Sequence, residues 1–354
     1  MALSMKDIAQ DLGVSLVTVS KALRDHPDIS KKTKARVFAR CEELGYSPNL
    51  AARSLVTGRS SLVGLIVPDL VHPFFAEVSK ALSRVLREHE YFAVISSSES
   101  DPLLEQQETK QMLAHRLDAL VIASCQLEPT SLQQLQSRGT PLILFDRYFE
   151  GFPCNFVGTN DYSAGKLAAE HLVSMKCKRI AHIRGPLTSA GKGRLKGFTD
   201  TLAKYKIHLP PEYLIAVRDA DVDGAMYGAK GLHILTNLST PPDGVFCYND
   251  VVAMGLLVEA VKQGIRIPED LAVVGCGNLH FDDALRVPLS SVDQRAAELG
   301  VRTAKLILDL LNPDSTKAQK SGTRKIILQP RLVARASSDR LVSNYRGKKR
   351  AAGY

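Results

Sequence analysis

Apolar residues near the start of the chain recur at helical spacing. Met5, Ile8, Ala9 and Leu12 form one stripe, and Ser4 with Asp7 makes the S-x-x-D capping pattern that begins a helix. Gly13 ends it, because glycine enters the left-handed C′ conformation without strain. Ser15 caps a second helix whose inward face is Val19, Ala22 and Leu23. A third runs from Ser30 to Leu44, capped by Ser30, with Val37, Phe38, Cys41 and Leu44 inward. Ala9, Gly13 and Val19 supply the small crossing residue, tight turn and apolar pin of a helix-turn-helix. That arrangement leaves Leu16 and Val17 outward, among Ser15, Thr18, Ser20 and Lys21.

From residue 62 the pattern changes. Short β-rich runs ("LVGLIVP", "YFAVISS", "ALVIAS", "PLILFD", "FVGT", then "RIAHIRG", "YLIAVRD", "GVFCYND", "LAVVGCG") alternate with helical stretches at 74–89, 103–115, 161–175, 193–204, 223–236, 250–263 and 294–312. Alternating β and α predicts two doubly wound parallel sheets. Such folds bind ligands beyond the C-terminal ends of their strands, so two facing halves would form a cleft. Between head and body, "YSPNLAARSLVTGRSS" allows two helical turns, with Pro48 suiting the first and Thr57–Ser61 as linker. Its Leu55 reads either as part of a plain connector or as an exposed wedge for the minor groove.

Charge sharpens this division. Residues 1–60 hold ten Lys/Arg and six Asp/Glu, residues 331–354 seven and one, and the remainder 29 and 30. A neutral body with basic ends suits a polyanionic partner. The tail "NYRGKKRAAGY" reads as solvated and disordered. No apolar run approaches a membrane span and no secretory signal is apparent. The six scattered cysteines form no C-x-x-C pair, which predicts neither zinc nor disulfides and suits a reducing cytoplasm. On a recognition helix, Leu16 and Val17 could meet thymine methyls and Lys21 a guanine or phosphate, while Ser15 and Thr18 suit phosphates.

The stretches "MKDIAQDLGVSLVTVSKAL", "LGYSPNLAARSL", "VGLIVPDLVHPFFAEV", "LILFDR", "GPLTSAGKGRLKGF", "CYNDVVAMG", "LAVVGCGN" and "PLSSVDQ" together resemble the LacI/GalR family of bacterial transcription factors over about residues 3–338. The resemblance implies an all-α helix-turn-helix head (1–47) and a hinge helix with linker (48–61). It also implies an α/β periplasmic-binding-protein-like core (62–330) of two doubly wound subdomains. The expected subdomains are 62–160 with 291–322, and 161–290 with 323–338, crossing near 158–162, 288–293 and 320–325; a basic tail follows at 339–354. A homodimer on a pseudo-palindromic double-stranded operator is implied. Asn49, Arg53 and Leu55 join Ser15–Thr18, Ser20 and Lys21 at the DNA, with Leu55 intercalating.

For the effector cleft the resemblance points to His72, Phe74, Phe75, Asp146, Lys192, Arg194, Asn249, Gly277 and Asn278. Phe74 and Phe75 either stack on a ligand ring or fill the core. Asp146 either accepts from a hydroxyl or pairs with Arg147, and Arg194 matches an effector arginine. Asp250 is expected to cap the helix after Asn249. Where the family usually reads "GFDD", this chain has Gly275-Cys276-Gly277-Asn278. A sugar-clamping carboxylate is therefore missing at Gly277, and His72 stands where asparagine is frequent. With Lys192, Arg194, His72 and His280 left as donors, an anionic sugar derivative is one expectation; others are that Asn278 substitutes or that sugar response is lost.

No Walker loop, dinucleotide fingerprint, G-x-S-x-G elbow or H-E-x-x-H occurs, so an enzyme and a bound cofactor are not expected. Asp219, Asp221 and Asp223 lack the glycine and glutamate of a calcium loop and read as a solvated turn and helix cap. The competing reading is a solute-binding protein without DNA function, which would ignore DNA in a salt-dependent gel shift.

Overall fold

The computed structural model describes residues 4–23, 25–46, 59–136, 139–217, 220–312 and 322–340. The expected hinge residues Asn49, Arg53 and Leu55, and the tail beyond residue 340, lie outside these. The chain divides into two units, residues 1–60 and 61–354.

In the first unit, α1 (Met5–Leu12), α2 (Leu16–Leu23) and α3 (Lys31–Glu43) enclose Ile8, Ala9, Val19, Ala22, Val37 and Cys41. The backbone N–H of Ser4 donates to Asp7 Oδ2 at 2.8 Å, and Gly13 sits at φ 62°. Ser30 Oγ accepts from the N–H of Thr33 at 3.2 Å. Phe38, expected inward, is 48% exposed. The inward row of α3 runs through Val37, Cys41 and Leu44, and one residue further along turns the side chain about 100° away.

The second unit holds two six-stranded sheets. The N-lobe sheet, in the order β11-β5-β4-β3-β1-β2, joins β1 (Leu62–Val67), β2 (Phe92–Ser97), β3 (Ala119–Ile122), β4 (Leu142–Phe145), β5 (Asn155–Thr159) and β11 (Lys325–Leu328). All its pairings are parallel. The C-lobe sheet, β12-β10-β9-β8-β6-β7, joins β6 (Ile180–Arg184), β7 (Leu214–Ala216), β8 (Gly244–Cys247), β9 (Ala272–Gly277), β10 (Ser290–Asp293) and β12 (Arg331–Val333). Here β12 runs antiparallel to β10, contrary to the all-parallel expectation.

Helices α4 (Pro73–Arg87), α5 (Pro102–Ala114), α6 (Thr130–Gln136) and α11 (Ala296–Leu311) belong to the first lobe. Helices α7 (Asp161–Ser174), α8 (Ser189–Lys204), α9 (Gly224–Thr236) and α10 (Asp250–Lys262) belong to the second. Burial on both faces explains the near-continuous apolar strands: β3 and β4 are buried throughout.

The chain passes between lobes at Asn160, at Gln294–Arg295 and at Gln329–Pro330. The last two correct the expected 288–293 and 320–325. Residues 290–293 pair with β9 and so stay in the C-lobe, while β11 pairs with β5 in the N-lobe. Strands β10–β12 are only three or four residues long and partly polar, too short for alternation to mark them.

Candidate DNA interface and ligand cleft

On the head, α2 keeps Val19 and Ala22 inward and presents Leu16 (47% exposed) and Val17 (62% exposed). Ser15 Oγ accepts from the N–H of Thr18 at 3.0 Å and lies 2.8 Å from Thr18 Oγ1, so these two hydroxyls fix the helix start. Lys21 Nζ reaches Asp28 Oδ2 at 2.9 Å and Ser20 is half-buried. The apolar pair thus stands on a rigid, capped first turn.

The cleft lies between the strand ends of the two lobes. Asp146 follows β4 in a left-handed conformation (φ 61°), which Asp tolerates better than most residues. Its neighbour Arg147, 3% exposed, contacts the Asp146 carboxylate at 3.5 Å and crosses to Asp221 in the opposite lobe. Burial pushes the Asp146 carboxyl up to about 6, against the pull of Arg147. Asp221 is itself buried, so the expectation of a solvated turn is wrong for it. The reason is the distant partner: an aspartate looks solvated in sequence until an arginine 74 residues away is folded onto it.

Asn249 takes the capping role expected of Asp250: its Oδ1 accepts from the N–H of Val252 at 2.9 Å. Its amide nitrogen donates to Ala220 O at 3.0 Å and lies 3.2 Å from His72 Nε2, across the cleft. His72 is the N-cap of α4, and burial lowers its pKa and keeps the ring neutral at neutral pH. Asp250 lies beneath β9, accepting from Ser291 Oγ at 2.7 Å and from the N–H of Leu279 at 3.2 Å.

Arg194 is placed by a close helix crossing. A Cβ on Gly165 would collide with the Arg194 carbonyl oxygen, and one on Gly197 with the Tyr162 carbonyl oxygen, so α7 and α8 touch backbone to backbone. That contact sets Arg194 Nε 2.9 Å from Asp161 Oδ1, Nη1 2.8 Å from Tyr248 O, and Cζ 4.6 Å above the Tyr248 ring. Burial raises the Asp161 pKa while Arg194 opposes it.

Other expected residues stand elsewhere. Phe74 stacks on Phe145 at 6.1 Å and meets Phe75 edge-on at 5.2 Å; both belong to the N-lobe core. Lys192 is exposed on the first turn of α8. At Gly277 (φ 146°) a Cβ would lie 2.7 Å from Asp250 Oδ2. Asn278 does not turn inward to replace the lost carboxylate: its Oδ1 accepts from Arg335 Nη2 at 2.8 Å. Of the donors expected here, Arg194 is paired with Asp161 and His72 is uncharged, while Lys192 stands exposed in the cavity wall. The residues that sequence reasoning missed are Asp221, Asp161 and Tyr248, all brought in by contacts across the fold.

An open cavity of about 600 Å³ adjoins this cluster. Its walls include Ser124, Arg147 and Tyr148 from one lobe and Tyr162, Ser189 and Lys192 from the other. Tyr148 donates its N–H across the boundary to Ser189 Oγ at 2.9 Å.

A helix-turn-helix head joined to a two-lobed α/β core defines a DNA-binding regulator with a periplasmic-binding-protein-like domain. The family model of bacterial regulatory proteins of the LacI family matches residues 4–49, and that of the periplasmic binding protein-like domain matches residues 169–338. The chain is 31% identical to the ribose operon repressor of Bacillus subtilis (strain 168) over 310 residues, covering 87% of this chain and 91% of that one. It is 28% identical to the transcriptional repressor CytR of Escherichia coli (strain K12), covering 95% and 96%. The Lac repressor dimer, solved with operator and an anti-inducer, superposes with a TM-score of 0.82 at 24% identity, covering 96% and 99%. The chain belongs to the LacI family: it is a DNA-binding transcriptional regulator.

Proposed function

We propose that this regulator acts in the cytoplasm as a homodimeric repressor, rather than as an enzyme or a solute carrier, and that a small effector in the cleft tunes its operator affinity. The observation that carries the DNA reading is the exposed Leu16–Val17 pair on the capped first turn of α2. Water gains nothing from that pair, whereas a major groove offers thymine methyls. Ser15, Thr18, Ser20 and Lys21 flank it, and Asn49, Arg53 and a wedging Leu55 are proposed to complete the contact. Two-fold symmetry places two such helices on half-sites of a pseudo-palindrome.

The effector is a neutral polyhydroxylated molecule of the sugar class. Asp146, Asp161 and Asp221 face Arg147 and Arg194 in the buried cluster, so an anion would find no unpaired guanidinium. His72, Asn249, Asp146 and Arg147 are the proposed polar contacts, Phe74 and Phe75 stiffen the wall behind them, and Lys192 stands at the mouth. Gly277 and Asn278 serve the architecture of β9. Effector and operator are coupled by linkage, so each alters the affinity of the other by the same factor. Selection of randomised duplexes by the full chain tests the first claim, with enrichment of one palindromic site and a steep loss of affinity with salt as the expected result. Calorimetry with neutral sugars against their acids tests the second, and tight binding of acids alone would overturn it.

A further inference from the structure

Four polar side chains meet in two pairs where the lobes face each other. Arg147 of the N-lobe pairs with Asp221 of the C-lobe, and His72 of the N-lobe lies against Asn249 of the C-lobe. A hydrogen bond from the Tyr148 backbone N–H to the Ser189 side-chain Oγ spans the same boundary. Leu279 of the C-lobe is buried in the N-lobe core cluster, with Val251 and Phe281 packed beside it. The lobes are therefore closed on each other by an apolar seam and a charged pair, with both partners of the pair under one-tenth exposed. A buried ion pair that loses one member leaves the other charge without compensation, so the two are strongly bound to act together.

We propose that the Arg147–Asp221 pair is a latch that holds the sensor lobes together, and that Arg147 occupies the place an effector must take over. The clause about the effector rests on the functional reading above. Arg147 faces both ways: its guanidinium holds Asp221 and reaches Ser124 O at 3.5 Å, and its side chain also lines the open cavity. A ligand entering that cavity meets Arg147 from the solvent side. It opens the latch only by accepting the guanidinium hydrogen bonds while leaving Asp221 a hydroxyl donor in exchange. A polyhydroxylated ligand does both; a hydrocarbon does neither. Asp221 in this way supplies from the loop before α9 the cleft carboxylate that Gly277 lacks.

Amide hydrogen exchange resolved to single residues tests the latch in the full chain, without DNA or any small molecule. The Tyr148 amide bonds across the cleft, while the Asp146 amide bonds within its own lobe, to Val157 O at 3.0 Å, and serves as the control. The native chain is expected to protect both. Asp221→Asn keeps shape and removes charge, and it should accelerate exchange at Tyr148 at least tenfold while leaving Asp146 unchanged. Unprotected Tyr148 in the native chain, or unchanged Tyr148 in the variant, would overturn the proposal. If both amides accelerate, the lobe itself has loosened and Arg147→Lys decides: acceleration confined to Tyr148 supports the latch, and any other pattern removes it. Operator selection is measured separately, so a failed latch and a failed functional reading give different results.

Discussion

Replacing Asp282 with asparagine should remove a titration while keeping a hydrogen bond. Asp282 is fully buried, and neither of its carboxyl oxygens receives a well-formed hydrogen bond from the described residues. Its neighbour is Asp250, also fully buried and already accepting from Ser291 and Leu279. Burial, reinforced by the charge of Asp250, pushes the Asp282 carboxyl up to about 9, so it carries a proton and donates it to Asp250. The room for this carboxyl pair comes from Gly275 and Gly277, where any Cβ would run into Asp250. The sign follows from proton counting. Between the unfolded value of 3.8 and about 9 the folded chain holds a proton that the unfolded chain has released. Stability from this group is therefore complete below 3.8 and is lost as pH rises toward 9. The slope is about 1.4 kcal/mol per pH unit, or on the order of 2–3 kcal/mol between pH 6 and 8. Asparagine does not titrate, so Asp282→Asn should gain that amount on the native chain over the same interval, whatever constant offset the substitution adds. Urea unfolding at pH 6, 7 and 8, with the slopes against denaturant compared, measures the difference directly. Two stability curves that run parallel across this range would refute the shared-proton argument.

Val17→Ala should leave unfolding within about 0.5 kcal/mol, because the side chain is exposed, yet weaken specific operator binding by about 3 kcal/mol, roughly a hundredfold, for two apolar carbons lost from each of the two heads of the dimer. Equal operator affinities in a titration would remove Val17 from the interface. Lys21→Met, which removes one lysine from each head of the dimer, should lower the slope of log affinity against log salt by about 2, and an unchanged slope would confine Lys21 to its pair with Asp28. Gly165→Ala forces α7 and α8 apart at the Arg194 carbonyl and should cost about 1–3 kcal/mol in urea unfolding. An unaffected midpoint would mean that the helix crossing yields freely.

Local chemistry made the head legible in sequence. Ser4, Gly13, Ser15 and Ser30 act on backbone groups within five residues, so caps and turn could be placed before any tertiary contact was considered. Phe38 escaped because an apolar residue one step beyond the inward row carries no local sign of which side it takes. In the core, the alternation of β and α exposed the lobes, but β10–β12 hold too few residues to show a period, and with them went the crossings. The cleft was the least legible part. Asp146, Arg194 and Asn249 sit at strand ends and helix starts, where a fold-level rule directs attention. Asp221 meets Arg147, the neighbour of Asp146, from 74 residues away, and Asp161 and Tyr248 meet Arg194 from 33 and 54, distances that no local pattern spans. Tyr248 takes part through its carbonyl and the face of its ring, which its residue type does not advertise. The same reasoning changes the meaning of Gly277. Seen alone, it is a missing acceptor that leaves cations in excess. Seen with Asp250 and Asp282 behind it and Asp221 in the same lobe, it is the space that a buried carboxyl pair requires, while a carboxylate is supplied to the cleft from another loop. Counting charges along a strand end therefore favours an anionic ligand, whereas counting them around the cleft favours the neutral one proposed above.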